Sequence, residues 1–299
     1  MNRFRPLLVV LLLVILAGNA GAEICKGSKI PKAELLKYDK AVFLNPEEES
    51  KAKAEHAPWG LASCPRLLPQ REYLVCYDPE RRVSLWVSYR LKGEHIAKRE
   101  RRDAFRTDTR LSNEENARCN DYLGTGYDRG HMVPNSDMNR SAVAQANTYF
   151  LSNMSPQTPT LNRGIWRWLE DTARAWVRKF DNLHVISGSV FMGENHWLPG
   201  ERVAIPRQHY KILVRSEAGE LKGLAFLFIN GKRHPLPPGT QGVEGRRMGA
   251  KEADQYLARH LVSIASIARL TGLDYFTALP SARKDALTLD VGADLWSRN

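Results

Sequence analysis

The segment GTGYDRGHMVPN, residues 124–135, combines a histidine with an arginine and an acid on a backbone rich in turn-forming residues. A neutral histidine, whose ordinary pKa lies near neutrality, can take a proton from water. The planar guanidinium of Arg129 can bind a phosphate, although a salt bridge to Asp128 is an alternative use of that side chain. Three glycines in seven residues allow a ligand to approach the backbone closely, and they also occur in ordinary loops. The segment therefore marks His131 as a candidate general base without assigning its reaction.

Two segments downstream of this histidine, YFLSNMSPQ and TLNRGIWRWLED, contain the next polar candidates. Each is ambiguous when it is taken alone. Asn162 precedes a predicted helix and could be an N-cap, and Glu170 could form a surface ion pair with Arg167 or Arg174. The spacing of the three segments together is more informative than any one of them.

The combination of YDRGH, LSNxxPQ and LNxGxWxxLE resembles the DNA/RNA non-specific endonuclease family, which has a ββα-metal active site and includes endonuclease G. The resemblance is specific from Tyr127 to Glu170 and weaker over residues 70–286. It implies an α+β fold: a ββα-metal nuclease domain with a mainly antiparallel central sheet flanked by helices.

The resemblance also implies roles for individual residues. The family's catalytic histidine falls on His131, and its single metal-ligating asparagine falls on Asn162. Its motif arginine and its helix glutamate fall on Arg129 and Glu170. The polar residues that would support the site are Asn153, Gln157 and Asp128.

A phosphate-binding arginine upstream of the histidine also belongs to the family pattern. The basic segment KRERRDAFR offers several arginines, and their spacing does not choose among them. We take Arg102 as the preferred candidate, while Arg101 and Arg106 remain open.

Magnesium is the cofactor that the resemblance implies, with manganese as a potential substitute. Mg²⁺ keeps most of its waters and accepts one oxygen ligand beside substrate phosphate oxygens. Asn162 and Glu170 are eight residues apart, which is about 12 Å along a regular helix, whereas Mg²⁺–ligand distances are about 2.0–2.1 Å. We therefore expect Asn162 to be the direct ligand. Glu170 would hold a water near the ion and help to protonate the leaving oxygen.

Residues 1–22 have the layout of a secretory signal peptide, with two arginines, an apolar run and small residues up to Ala22. The apolar run is shorter than the roughly 20 residues of a membrane-spanning helix, so no stable membrane association is expected after cleavage. Cleavage would remove Arg3 and Arg5 with no acid and lower the formal net charge from +11 to +9. A secreted or periplasmic basic protein favours polyanionic partners, here DNA and RNA.

The four cysteines are even in number and widely spaced, with no CxxC pair to indicate a zinc site. Two disulfides are the expected use, and the sequence leaves all three connectivities open. The cysteines are Cys25, Cys64, Cys76 and Cys119. We expect them to lie away from the catalytic residues.

Alternating apolar residues in VSLWVSYRL predict a hairpin with EYLVCY, with one face buried. Further strands are predicted at 183–188, 210–214 and 223–229, and helices at 163–180 and 250–270. Residues 23–60 are polar and read as an N-terminal extension with one exposed helix, followed by a nuclease domain at 61–299. This order of elements is typical of an α+β domain.

The function predicted from these observations is a secreted or periplasmic Mg²⁺-dependent endonuclease for DNA and RNA, with 5′-phosphate products implied by the resemblance. One rival is a basic nucleic-acid-binding protein of the same fold without turnover. Another is a phosphodiesterase for smaller substrates. The sequence specifies neither an oligomeric state nor an inhibitor protein.

Overall fold

An antiparallel central sheet with helices on both faces dominates the computed structural model, which describes residues 22–292 and 294–297. Apart from Ala22, the predicted signal peptide, residues 1–22, lies outside these residues. In chain order the strands are β1 (Arg66–Pro69), β2 (Leu74–Asp78), β3 (Val83–Lys92), β4 (Asp128–His131), β5 (Met154–Gln157), β6 (Asn182–Val190), β7 (His196–Trp197), β8 (Ala204–Ile205), β9 (Gln208–Glu217), β10 (Glu220–Ile229) and β11 (Leu261–Val262). The helices are α1 (Lys32–Lys40), α2 (Pro46–His56), α3 (Ala142–Asn147), α4 (Arg167–Phe180), α5 (Ala250–Ala258), α6 (Ile264–Thr271) and α7 (Ser281–Leu289).

The central sheet of the described residues has seven strands in the order β1-β2-β3-β6-β9-β10-β11, and every neighbouring pair is antiparallel. The segments 183–188, 210–214 and 223–229 lie in β6, β9 and β10, as predicted. The α+β class with an antiparallel central sheet is confirmed.

The β2–β3 hairpin forms as predicted, but both of its faces are buried. Val87 packs into the core beneath α4, whereas Trp86 points into a second core with residues of α2, α6 and α7. Ser84 and Ser88 are therefore buried rather than exposed, and the Ser88 hydroxyl donates to the carbonyl of His56 at 2.6 Å. The expectation of one solvent-facing side was wrong because helices cover both faces of the sheet, which the alternation within one strand does not reveal.

The predicted helix 163–180 begins with a distorted turn. A π-helical turn, Leu161–Trp166, precedes α4, and Gly164 interrupts it with a non-helical ψ of −112°. The distortion falls between Asn162 and Glu170, so these residues do not share one regular helix. Their separation therefore cannot be calculated from an ideal helical rise.

The predicted helix 250–270 is divided into α5 and α6. Between them Leu261 and Val262 pair with Phe226 and Ala225 at the edge of the central sheet. The Ser263 side chain then accepts a hydrogen bond from the backbone N–H of Ser266 at 3.1 Å and caps α6. Pairing with an open sheet edge stabilises an extended segment that helical periodicity alone would not predict.

Residues 23–60 form α1 and α2 and pack on the remainder of the protein, instead of forming one exposed helix. Asp39 of α1 accepts a hydrogen bond at 2.7 Å from Nε of the fully buried Arg106. The N–H of Cys25 donates to the carbonyl of Phe105 at 2.9 Å. These contacts fix the basic segment that precedes the candidate histidine.

Disulfides join Cys25 to Cys119 and Cys64 to Cys76, with Cα–Cα distances of 5.1 and 5.5 Å. The prediction of two disulfides is confirmed, and the structure selects one of the three connectivities. No helix among residues 22–292 and 294–297 has the length and apolar character needed to cross a membrane.

Candidate active site

A small two-stranded sheet positions the candidate catalytic residues. Strands β4 and β5 are antiparallel, with Asp128 opposite Gln157 and His131 opposite Met154. The chain leaves β5 through a short turn and enters the π-helical turn and α4. Strand β4, the π-helical turn and α4 line one cavity, and β5 pairs with β4, in a ββα arrangement.

This catalytic cavity has a volume of about 450 Å³ and a strongly polar lining. Residues from β4, from the π-helical turn, from α4 and from the upstream basic segment all reach it. The lining includes Arg101, Arg129, His131, Asn162, Arg163 and Glu170. Four residues predicted from the three motifs are therefore brought together: His131, Arg129, Asn162 and Glu170.

His131 ends β4, and aromatic rings hold its imidazole in place. The ring stands edge-on to Tyr149, with centroids 4.8 Å apart, and lies 5.6 Å from the ring of Phe105. Burial lowers the pKa of His131 to about 3, and the positive charge of Arg101 acts in the same direction. The imidazole is therefore neutral at neutral pH, the form that can accept a proton, and its low pKa makes it a weaker base than a free histidine.

Asn153 fixes the backbone that follows His131. Its Oδ1 accepts from the N–H of Val133 at 3.0 Å, and its Nδ2 donates to the carbonyls of Val133 and Thr148 at 3.0 and 2.8 Å. All of these groups are buried, so replacing Asn153 would leave several of them without partners. Asn153 thus positions the histidine without contacting it.

Gln157 packs directly against Gly130, the residue before His131. A Cβ atom on Gly130 would lie 2.2 Å from Gln157 Oε1 and 2.6 Å from its Cγ, which only glycine avoids. Within the described residues neither polar atom of the buried Gln157 amide has a hydrogen-bond partner. The amide therefore acts on the site by contact with β4.

Asp128 organises the metal-ligand candidate. It accepts hydrogen bonds from Asn162 Nδ2 at 2.9 Å and from Arg163 Nε and Nη2 at 2.8 and 2.6 Å. The salt bridge considered for Arg129 and Asp128 is thus formed by Arg163 instead. The Asn162 side chain does not cap the helix, because Asn162 lies inside the π-helical turn, which begins after Thr160.

Arg129 remains oriented toward the cavity through a single hydrogen bond. Its Nη2 donates to the carbonyl of Cys119 at 2.7 Å, and its guanidinium carbon lies 5.0 Å from the centre of the Phe105 ring. Within the part of the chain that the structure describes, its buried Nε has no partner. The Cys25–Cys119 disulfide therefore lies next to the candidate site, contrary to the expectation that the cysteines are remote from it.

Glu170 lies in the first turn of α4 and lines the same cavity. Burial raises its pKa to about 7, while the nearby charges of Lys211 and Arg174 oppose the rise. Arg174 pairs with Asp137 at 2.6 Å and with Asp171. Among the described residues Glu170 forms no ion pair with an arginine, so the surface-pair alternative is not realised.

The upstream arginine of the cavity is Arg101. Its guanidinium lies 5.8 Å from the centre of the Tyr149 ring, and its Nε donates to Asp103 at 2.7 Å. Arg102 points away toward α1, where it contacts Glu34 at 3.4 Å. Arg106, the third candidate, is buried in its ion pair with α1. The preference for Arg102 is therefore corrected to Arg101, because contacts with α1 direct its neighbours elsewhere.

Sequence reasoning did not single out Tyr149 or Lys211. Lys211 is buried in β9, donates to the Ser187 hydroxyl at 2.7 Å and lies 4.5 Å from the centre of the Trp166 ring. Its positive charge lowers the pKa of Glu170 and so counteracts part of the rise caused by burial. The sequence does place Lys211 inside the apolar run YKILV, and a lysine buried in such a strand needs a charged or polar partner.

The donor set fits a hydrated divalent cation. The hydrogen bond of Asn162 Nδ2 to Asp128 leaves Asn162 Oδ1 available as a ligand on the cavity side. Among the described residues no group of three or more His, Cys, Asp or Glu side chains could form a complete metal cage. One amide oxygen with a carboxylate nearby suits Mg²⁺, which retains several waters.

Comparisons with known proteins agree with this geometry. A family model described as DNA/RNA non-specific endonuclease matches residues 58–282. The chain is 31% identical over 237 residues to the mitochondrial endonuclease G of Homo sapiens, covering 73% of this chain and 72% of that protein. It is 33% identical over 213 residues to a nuclease of Nostoc sp., covering 71% of this chain and 73% of that protein.

A chain in the crystal structure of the EndoG/EndoGI complex matches the fold with a TM-score of 0.67 and 23% identity, covering 84% of this chain and 99% of that one. The fold and site together define a ββα-metal nuclease. The chain belongs to the DNA/RNA non-specific endonuclease family. Membership implies nucleic acid as the substrate and a divalent metal ion as the cofactor.

Proposed function

We propose that the protein is an Mg²⁺-dependent endonuclease that hydrolyses phosphodiester bonds in both DNA and RNA, with Mn²⁺ as a potential substitute. The observation that carries the proposal is a neutral histidine, an asparagine oxygen and two arginines on the walls of one cavity. We assign catalysis to residues 61–299, and residues 23–60 support that domain through their contacts with the basic segment.

In this proposal His131 takes the proton from the attacking water, because its imidazole is neutral and held by aromatic rings. Arg101 and Arg129 bind the non-bridging oxygens of the phosphate and offset its charge. Asn162 holds the metal ion, which when bound supplies charge stabilisation for the phosphate and the leaving oxygen. Glu170, with its raised pKa, can retain a proton near neutral pH and deliver it to the leaving oxygen.

Contacts made mainly to the phosphate backbone carry no sequence information, so we expect little base preference. Attack in line with the 3′ oxygen leaves 5′-phosphate ends. The net charge of +11 for the whole chain supports a polyanionic substrate over a small phosphodiester.

We further propose that the protein is secreted or periplasmic. Its two disulfides favour an oxidising compartment over the cytoplasm, and residues 1–22 have the layout of an export signal. The human relative is mitochondrial, so fractionation of the producing cells, with the N-terminal residue of the mature protein determined, is the direct test. A mature chain beginning at Met1 in the cytoplasm would refute this localisation.

The catalytic proposal is tested by incubating the purified protein with plasmid DNA and with RNA, in Mg²⁺ and in excess chelator. We expect cleavage of both substrates with Mg²⁺ and none with chelator. His131→Ala should lower the rate by about 10²-fold or more while retaining binding. His196→Ala, which changes an exposed histidine outside the cavity, is the matched control. Binding without cleavage by the wild type would favour a nucleic-acid-binding protein without turnover. Cleavage of small diesters alone would favour a phosphodiesterase for smaller substrates.

A further inference from the structure

A second cavity of about 440 Å³ adjoins the catalytic cavity. The two share four lining residues: Arg101, Arg129, Asn162 and Arg163. They therefore meet at Arg101, Arg129 and Asn162, the residues assigned to phosphate and metal binding, and at Arg163. A ligand that extends along the nucleic-acid strand from the scissile phosphate can reach this second cavity.

The outer wall of the second cavity is apolar and aromatic, unlike that of the catalytic cavity. It is formed by Phe105, Tyr122, Leu123 and Tyr127. Leu123 is 65% exposed, so its side chain is accessible to a ligand in this cavity. Aromatic side chains next to arginines are typical of surfaces that bind nucleobases.

The loop carrying this wall is held in place by hydrogen bonds. The Thr125 hydroxyl donates to the carbonyl of Tyr122 at 3.0 Å and accepts from the N–H of Tyr127 at 3.2 Å. Gly124 and Gly126 have φ values of +68° and +80°, which allow the tight turn. The backbone of the wall is therefore fixed before a ligand arrives.

Tyr122 supplies an independent indication of a ligand. The residue is only 5% exposed, and its hydroxyl has no hydrogen-bond partner anywhere in residues 22–292 or 294–297. Burial raises the pKa of Tyr122 above its usual range, so the hydroxyl stays protonated and can donate. A buried unpaired hydroxyl is unfavourable, and a small outward shift of the Tyr122 ring would let a ligand with a polar edge satisfy it.

We propose that this second cavity binds the base of the nucleotide next to the scissile phosphate, turned out of the base stack. A base has apolar faces to lie against Phe105, Tyr127 and Leu123, and a polar edge that can pair with the Tyr122 hydroxyl once that ring shifts outward. This inference rests on the proposed nuclease function. Stacking accepts every base, and turning a base out costs least in single strands, so cleavage favours unpaired positions without strong sequence preference.

The test uses short single-stranded oligonucleotides in which one stable abasic residue is moved along an otherwise constant sequence. With the wild type, cleavage of the bond next to the abasic residue should fall by about tenfold, whereas more distant bonds should be cut normally. In Leu123→Ala and Tyr122→Phe this difference should shrink, because the base no longer contributes as much to binding. Leu289→Ala, which alters a 63% exposed leucine on α7, should retain the full difference.

The proposal would be overturned if the wild type cleaved every bond equally well despite the abasic residue. It would also be overturned if Leu123→Ala and Tyr122→Phe both showed the same loss of cleavage next to the abasic residue as the wild type. Failure of the wild type to cut the intact oligonucleotide would instead refute the underlying nuclease function. Unfolding midpoints of the variants, measured in parallel, show whether each pocket variant is folded. Leu123→Ala changes a largely exposed side chain and should retain the wild-type midpoint.

Discussion

Gly130→Ala should disrupt the site by adding a single carbon atom. The new Cβ would lie 2.2 Å from Gln157 Oε1, more than 1 Å closer than the 3.4 Å at which ordinary contact begins. Gln157 is fully buried, so its side chain cannot move into solvent. Strand β4 must then shift relative to β5, and His131 is the next residue along β4.

The expected magnitudes follow from this overlap. Overpacking of a buried site lowers the free energy of unfolding by about 1–3 kcal/mol. Displacing a catalytic group by about 1 Å lowers the rate by about 10²-fold. We therefore expect a folded protein with moderately reduced stability and a much larger loss of turnover.

The assay combines denaturant unfolding with initial rates on plasmid DNA. Gly249→Ala is the matched control for activity, because a Cβ at Gly249 meets nothing within 4 Å. Gln157→Ala removes the atoms that the new Cβ would contact, so the double variant should be more stable than the two single effects predict, by about 0.5–3 kcal/mol. Wild-type stability and activity in Gly130→Ala, or strictly additive effects in the double variant, would refute this account of Gly130.

Other predictions address the metal, the titrating groups and the disulfides. Asn162→Ala should raise the Mg²⁺ concentration needed for half-maximal rate or abolish activity, whereas Glu170→Gln should mainly lower the rate at saturating Mg²⁺; the reverse pattern in a metal titration would exchange their roles. Burial lowers the pKa of three histidines to about 3: His131, His184 and His209. Because the unfolded chain binds these protons at a higher pH, the free energy of unfolding should fall as pH drops from about 6.5 toward 3. Glu170 has a pKa raised to about 7, so its contribution to the free energy of unfolding increases as pH drops from 7 toward its ordinary pKa. His209→Gln should make the free energy of unfolding depend less steeply on pH, and an unchanged dependence would contradict the lowered pKa of His209. Replacing the Cys25–Cys119 disulfide by two serines should lower the free energy of unfolding by about 2–5 kcal/mol. It should also slow cleavage in the folded protein, because the Cys119 carbonyl positions Arg129; removing the other disulfide should affect stability alone.

The local segments of the site could be predicted from the sequence. The three motifs, through their resemblance to the nuclease family, place the histidine, the asparagine and the helix glutamate on three short elements, and the structure brings all three to one cavity. Turn-forming glycines and hydrophobic alternation act over a few residues, so their consequences can be recognised without the rest of the chain. The strands and the hairpin of the central sheet were predictable for the same reason.

Helix 250–270 shows where local pattern is insufficient. Its apolar periodicity favours a continuous helix, yet Leu261 and Val262 are extended and pair with the open edge of β10. Both faces of β3 are buried for a related reason, since α2, α6 and α7 come from distant parts of the chain. Each outcome depends on partners that no local window of sequence contains.

The choice among neighbouring arginines was decided by tertiary structure alone. Arg101, Arg102 and Arg106 share one basic segment and one side-chain chemistry, so the sequence determined that an arginine would be near the site. Asp39 and Glu34 of α1 then engage Arg106 and Arg102, and Arg101 is left at the cavity beside Tyr149. A charged side chain is most stable close to an opposite charge. Ion pairs between residues that are distant in sequence therefore decide which arginine reaches the cavity, and only the folded chain brings those residues together.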